Sequence, residues 1–147
     1  MNLKDVFETK LVKQDMMMGL TMYEGNGYTL AGGWRSGSSP AGLSRLKYDI
    51  YDMTKYTEDA KPKDYKAGFV EINVDGRGVP EGLINIEILP RFRSSSSVSG
   101  RKIVNDLIDT AGGTLNIYDV QKKAAGFWEK MGIEWLDRSK TRGVIKR

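Results

Sequence analysis

From Leu83 to Gly132 one order of elements runs without interruption: LINIEIL, PRFRSSSSVSGRK, IVNDLIDTAGG, TLNIYDV and AAGFWEKMG. Leu83 to Leu89 alternates with the two-residue period of a strand, whereas Ile103, Val104, Leu107, Ile108 and Ala111 recur at helical spacing. Gly112 and Gly113 stand just past the last helical position, where glycine commonly stops a helix. Thr114 to Val120 alternates again, through Leu115, Ile117 and Val120, and Ala124, Phe127, Trp128 and Met131 return to helical spacing. A strand, helix and strand in one sheet need a crossover, so the two strands run parallel with a right-handed connection.

The joint before the first of these helices carries the chemistry. The leading N–H groups of a helix have no partner within it and lie at the positive end of its dipole. Small residues there let an anion approach the backbone, and Arg91, Arg93, Arg101 and Lys102 surround the segment. The expected guest is a phosphorylated ligand.

Composition narrows what else the chain can do. At 147 residues, 39% hydrophobic and 29% charged, it is expected to fold as one globular domain spanning 1–147. It has no Cys and no His, which removes disulfides, a conventional zinc site and every Ser-His or Cys-His arrangement. Carboxylates, Tyr, Lys and backbone groups are left to carry any reaction. The net charge of +4 favours anionic ligands. Its densest basic stretch is RSKTRGVIKR, from Arg138 to Arg147, but nucleic-acid readers usually show a stronger imbalance, so nucleic acid is not the expected partner. No apolar run has the length of a membrane span, and MNLKDVFETK lacks the apolar core of a secretory signal. A cytoplasmic protein without membrane contact is the expectation.

In the first half, Leu3, Val6, Phe7 and Leu11 predict a helix over Leu3 to Lys13, followed by Met16, Met17 and Met18 as filling for a core edge. A turn at Gly25 and Gly27 leads into a strand over Tyr28 to Trp34, and RSGSSPAG reads as a loop. Leu43 to Met53 alternates as a strand, and Tyr56 to Tyr65 is polar and predicted to loop out. Gly68 to Val74 and Leu83 to Leu89, around DGRGVPEG, form a β-hairpin; Ile133 to Leu136 and Gly143 to Ile145 form a closing one. The fold class is therefore α/β (α+β): a mixed, mostly antiparallel central sheet with one parallel pair, flanked by helices.

Over Gly68 to Ile133 the order and its joints resemble the GNAT superfamily of acyl-CoA-dependent N-acyltransferases. Ala124, Phe127, Glu129, Lys130 and Gly132 match in register a helix in which members often read Asn-x-x-Ala-x-x-Phe-Tyr-Glu-Lys-x-Gly-Phe. ILPRFR is similar to the end of the family's fourth strand. The resemblance implies that acetyl-CoA (coenzyme A) lies in a V-shaped gap where the parallel strands splay, with its pantetheine arm on the backbone of Ile88 and Leu89. It implies pyrophosphate on the N–H groups of Ser96, Ser97, Val98, Ser99, Gly100 and Arg101, either Arg91 or Arg93 leading the loop, and Gln121, Ala124, Phe127 and Trp128 against the cofactor. Serines stand where the family has glycines, Gln121 where it often has Asn, and Trp128 where it commonly has the Tyr that protonates departing CoA.

The implied activity is acetyl transfer to a primary amine of a small molecule or protein by direct attack in a ternary complex. The alternative is a catalytically degenerate relative that binds a protein or nucleic acid. Acyl transfer needs a donor to the oxyanion, for which an N–H near Leu89 is expected, and a route for the ammonium proton. Glu87 and Glu71, polar positions in apolar strands, are the candidates for that route, and Tyr118 for the acid. The acceptor is not legible, and a homodimer is compatible with the family.

Overall fold

The computed structural model describes residues 12–15 and 21–147. Among them, strands β1 (Val12–Asp15), β2 (Thr21–Glu24), β3 (Tyr28–Gly37), β4 (Ser44–Asp52), β5 (Lys66–Val74), β6 (Pro80–Ile88), β7 (Thr114–Ile117), β8 (Glu134–Trp135) and β9 (Gly143–Lys146) form one sheet. The spatial order is β1-β2-β3-β4-β5-β6-β7-β9-β8. Every described pairing is antiparallel except β6 with β7, which matches Gly82 to Asn116 and Leu83 to Ile117 in parallel. The connection between them is the helix Gly100–Thr110, preceded by two short 3-10 turns. Counting the single turn Pro62–Tyr65 as α1, this helix is α2, and Ala125–Lys130 is α3. The mixed sheet with one parallel pair is the architecture expected from the sequence.

Register divides the sheet into two unlike faces. Tyr48 pairs with Val70 and Val70 with Ile86, while Leu46 pairs with Ile72, so these side chains point the same way. Against them packs α2, whose Ile103, Val104, Leu107 and Ile108 are fully buried. Each such side chain stabilises the fold by about 1.5–3 kcal/mol relative to exposure. That packing holds a helix of 11 residues, a length that is marginal alone. On the opposite face lie Lys47, Asp49, Phe69, Glu71, Asn85 and Glu87, joined by the pairs Lys47 to Glu71, Glu71 to Asn85, Asp49 to Phe69 and Phe69 to Glu87.

A buried polar pair fixes α2 on the sheet. The Tyr28 hydroxyl in β3 donates to the Asp106 carboxylate at 2.6 Å, with both residues buried. Burial pushes the Asp106 carboxyl above its ordinary range, and neither the Tyr28 hydrogen bond nor the nearby Lys102 charge fully offsets it.

Several sequence expectations are corrected. The helix predicted over Leu3 to Lys13 falls mostly outside the described residues, as do Met16, Met17 and Met18; where the chain is described, Val12–Asp15 is a strand. Residues 56–65 are not all loop, because Pro62 opens α1 and the Asp64 side chain accepts from the Lys61 N–H at 2.9 Å. The strand predicted to Val120 ends at Ile117, since Asp119 takes a positive φ of 51°. The basic tail is built into the fold: Gly143–Lys146 pairs with β7, and the Arg147 guanidinium donates to the Met131 carbonyl and Asn105 side chain at 3.0 and 2.9 Å.

Replacing Tyr28 with Phe leaves a buried carboxylate without its donor, so the unfolding free energy is expected to fall by about 1–3 kcal/mol. Because the folded carboxyl titrates above its unfolded value, the stability it contributes is greatest in acid and declines as pH rises through the folded value. The deficit in Tyr28→Phe should therefore shrink on acidification. Urea titrations across pH 4–7 check both statements, and a deficit that grows in acid contradicts them.

Candidate functional site

The site begins where the parallel pairing stops. The Tyr118 N–H donates to the Leu83 carbonyl at 2.8 Å, and no later pairing joins β6 to β7. At that point β6 carries an irregularity: Glu71 opposes Asn85 but Ile72 opposes Leu83, so Ile84 is extra. An extra residue bends its strand and increases its twist, which turns Asn85 to Ile88 away from β7. Past Ile117 the other wall of the gap is non-strand backbone, from Tyr118 to Gln121.

Beyond the bulge the direction of the backbone groups is fixed. The Leu89 N–H donates to the Ala67 carbonyl at 2.7 Å, so Leu89 spends its donor on β5. Groups alternate sides along an antiparallel strand, which turns the N–H and C=O of Ile86 and Ile88 away from β5 and into the gap. The oxyanion donor expected near Leu89 is thus excluded at Leu89 itself, and Ile88 presents the N–H instead. The Ile88 carbonyl already accepts from Arg93 Nε at 3.3 Å.

A cleft of about 260 Å³ fills the gap on the α2 side. It brings together Ile88, Gly100, Tyr118, Gln121, Ala124, Phe127 and Trp128, all named from sequence, with Leu83, Ile84 and Ile86. Trp128 is buried, and the exposed Phe127 stands edge-on to it with ring centroids 4.9 Å apart. Gly82 is required at the closed end, because a Cβ there would lie 2.3 Å from the Tyr118 ring. The hydroxyl of Tyr118 donates to Glu81 at 2.6 Å. Burial, followed by the hydrogen bond and charge of Glu81, pushes this hydroxyl up to about 12 against the opposing pull of Arg142. Its proton is committed to Glu81.

The serine loop is held by a residue that sequence reasoning missed. Asp52, at the end of β4 and fully buried, accepts from Ser95 Oγ at 2.8 Å, Ser97 Oγ at 2.9 Å and Thr54 N at 3.0 Å. Burial alone works against its charge, but the hydrogen bonds from Thr54, Ser95 and Ser97 outweigh it and hold the carboxyl below the ordinary range. The Ser97 hydroxyl is therefore turned inward, and Val98 is a fully buried plug. Neither side chain is presented to a ligand. Ser99 caps α2, its Oγ accepting from the Lys102 N–H at 3.2 Å, which leaves the first N–H groups, those of Gly100 and Arg101, without a helical partner. Arg101 is exposed beside them. Lys102 turns to the Asn26 carbonyl. Arg91 donates to the Lys63 carbonyl and lies over Phe92, outside both clefts, whereas Arg93 donates to the Ile88 carbonyl at the gap.

Glu71 and Glu87 share a second cleft of about 660 Å³, opening on the other face of the sheet. The two clefts have Ile84, Asn85, Ile86, Ile88, Asp119, Gln121 and Ala124 in common, so they meet through the gap. Glu71 is bound by Arg45 Nε at 3.1 Å. The Glu87 side chain is exposed, with no hydrogen bond or ion pair among the described residues. No group of three or more His, Cys, Asp or Glu among the described residues could hold a metal ion, and no described helix is long and apolar enough to cross a membrane.

No family model matches this sequence, and no curated protein matches it. Among solved structures it is similar to a mutant AtaT toxin bound to the C-terminus of the antitoxin AtaR and acetyl-CoA. The identity is 12% and the TM-score 0.45, covering 69% of this chain and 68% of that one. It is also similar to nourseothricin acetyltransferase, at 16% identity and TM-score 0.41 over 95% and 83% of the two chains. The architecture described above rests on its own strand order and register, not on these scores.

Asp52→Ala should release the serine loop selectively. Amide exchange from Ser95 to Gly100 is expected to quicken about tenfold or more, a free-energy change of about 1.4 kcal/mol or above, while β4 to β6 stay protected. Because the folded carboxyl titrates below its unfolded value, its contribution is full above about pH 4 and disappears as pH falls through the folded value. Wild-type loop protection should follow the same course. Uniform loss across the sheet would show that Asp52 supports the fold at large rather than the loop.

Proposed function

We propose that this protein is an acetyl-CoA-dependent N-acetyltransferase acting on a primary amine. One observation carries the reading: β6 and β7 part at Ile84, with the backbone groups of Ile86 and Ile88 turned into the opening and unpaired N–H groups of α2 beside it. An extended amide-bearing chain can pair with such groups as an added strand would, and a diphosphate fits the helix start. The apolar walls from Trp128, Phe127 and Ala124 suit a pantetheine arm. When bound, acetyl-CoA supplies an activated thioester carbonyl.

The protein's own groups then divide the work. Gly100, Arg101 and Arg93 hold the anionic end. The Ile88 N–H, turned into the apolar cleft, stabilises charge on the carbonyl oxygen. Glu87, on the other side of the gap, takes the ammonium proton directly or through one water. With the Tyr118 proton tied to Glu81, thiolate departs without an acid; a thiol ordinarily titrates near ~8.5, so this leaving group is a tolerable one. That same feature favours a second reading, a binding protein of slow turnover.

Calorimetry with acetyl-CoA separates the fold from its use. Binding in the micromolar range is expected, and the absence of heat at millimolar ligand contradicts the proposal. Given turnover, Glu87→Gln should lower kcat by about 10²-fold or more at pH 7 with KM for acetyl-CoA unchanged. Glu71→Gln should act mainly on acceptor KM, through Arg45. Full activity of Glu87→Gln at pH 6 would remove Glu87 from the proton route.

A further inference from the structure

The cleft that holds Glu87 carries a nucleophile of its own. Among the described residues that line it, Lys123 has the single primary amine, and the first cleft has none. The cleft's other cations are guanidinium groups, which stay protonated and do not attack a carbonyl. They are also engaged: Arg45 Nε binds Glu71 at 3.1 Å, and Arg93 Nε donates to the Ile88 carbonyl at 3.3 Å. Lys123 is exposed, on a flexible four-carbon stem, with no hydrogen bond or ion pair among the described residues. It sits in the 3-10 turn Lys122–Ala124, between Gln121 and Ala124, both of which line the two clefts where they meet. Successive residues of such a turn point in different directions, and Lys122, equally exposed, lines neither cleft.

We infer that Lys123 is a site of self-acetylation: with acetyl-CoA bound and no acceptor present, its ε-amine takes the acceptor's place. This use of Lys123 rests on the transferase reading above. Only the neutral amine attacks. A bond forms from Lys123 Nζ to the thioester carbonyl carbon, the carbon–sulfur bond breaks, and coenzyme A leaves as the thiolate. The proton lost from nitrogen passes to Glu87 in the same cleft, directly or through one water, and on to the thiolate or to solvent. The products are an ε-acetamide and coenzyme A, with no oxidant or reductant needed. The Ile88 N–H serves the carbonyl oxygen as it does in transfer to a free acceptor. The charge of the cleft changes with the reaction. Its lining sets Arg45, Arg93 and Lys123 against Glu71, Glu87 and Asp119, so loss of the Lys123 charge leaves one carboxylate in excess.

The test incubates the whole protein with acetyl-CoA and no acceptor, and maps acetylated lysines over time by peptide mass spectrometry. Lys123 is expected to be modified about tenfold or more faster than Lys122, at a first-order rate independent of protein concentration. Glu87→Gln should bring Lys123 down to the rate of Lys122 and leave Lys122 unchanged, because chemical acetylation of a surface amine needs no base from the cleft. Lys123→Arg keeps the cation and abolishes the fast phase; thermal midpoints confirm that each variant folds. A readout without reaction runs alongside: an unreactive thioether analogue of acetyl-CoA should shield Lys123, and not Lys122, from reductive methylation. Equal acetylation of Lys122 and Lys123, or a Lys123 rate proportional to protein concentration, overturns the inference. Shielding without acetylation overturns it too, and makes Lys123 a binding cation. A protein that acetylates an added amine while Lys123 stays unmodified keeps the transferase reading and removes self-acetylation. A protein that neither binds the analogue nor modifies Lys123 removes both.

Discussion

The parallel pairing of β6 with β7 lasts for two residue pairs, and the cleft between them depends on its ending there. A fully paired neighbour would consume the backbone groups of Ile86 and Ile88, and no cleft would exist. The extra residue at Ile84 stops the ladder without costing β6 its partner on the other side, since β5 stays paired through Gly68 and Ile88. One edge of β6 is thus rigid and saturated while the other is open over a few residues. Such an opening would normally be a liability for strand addition; here α2, α3 and the apolar walls confine what can enter.

The second constraint is the placement of the serine loop. Four serines in a row make a segment of high conformational freedom. Asp52 resolves this by collecting Ser95, Ser97 and Thr54 around one buried carboxylate. The loop keeps its side chains but turns two of them inward, onto Asp52. The cation supply is distributed in the same way. Arg93 lines the second cleft and Arg101 is exposed, whereas Arg91 and Lys102 fasten the loop's flanks to α1 and to the turn before β3.

Much of the second half was legible because local pattern and tertiary role coincide there. The β5–β6 hairpin, α2 and its glycine stop, α3 and the closing hairpin all follow from periodicity and turn chemistry. The residues on the cleft wall, from Gln121 to Trp128, lie on a 3-10 turn with its cap and the helix that follows, so local spacing links them. What escaped depends on distant partners. Nothing local marks Asp52 as the anchor of a loop 43 residues away. The Leu89 N–H looks available in sequence, and only strand parity shows that β5 takes it. Ile84 is one more apolar residue in an apolar run, so its bulge is silent.

The central claim is that the gap between β6 and β7 is a binding edge for an acyl-CoA. Backbone amide shifts on titration with acetyl-CoA test it residue by residue. The account predicts that Ile86, Ile88, Gly100 and Arg101 move together with one saturating affinity, whereas Leu89, bonded to Ala67, moves little. Saturation confined to other surfaces, or no shift at the Ile86 and Ile88 amides in a protein that binds the ligand, would contradict it.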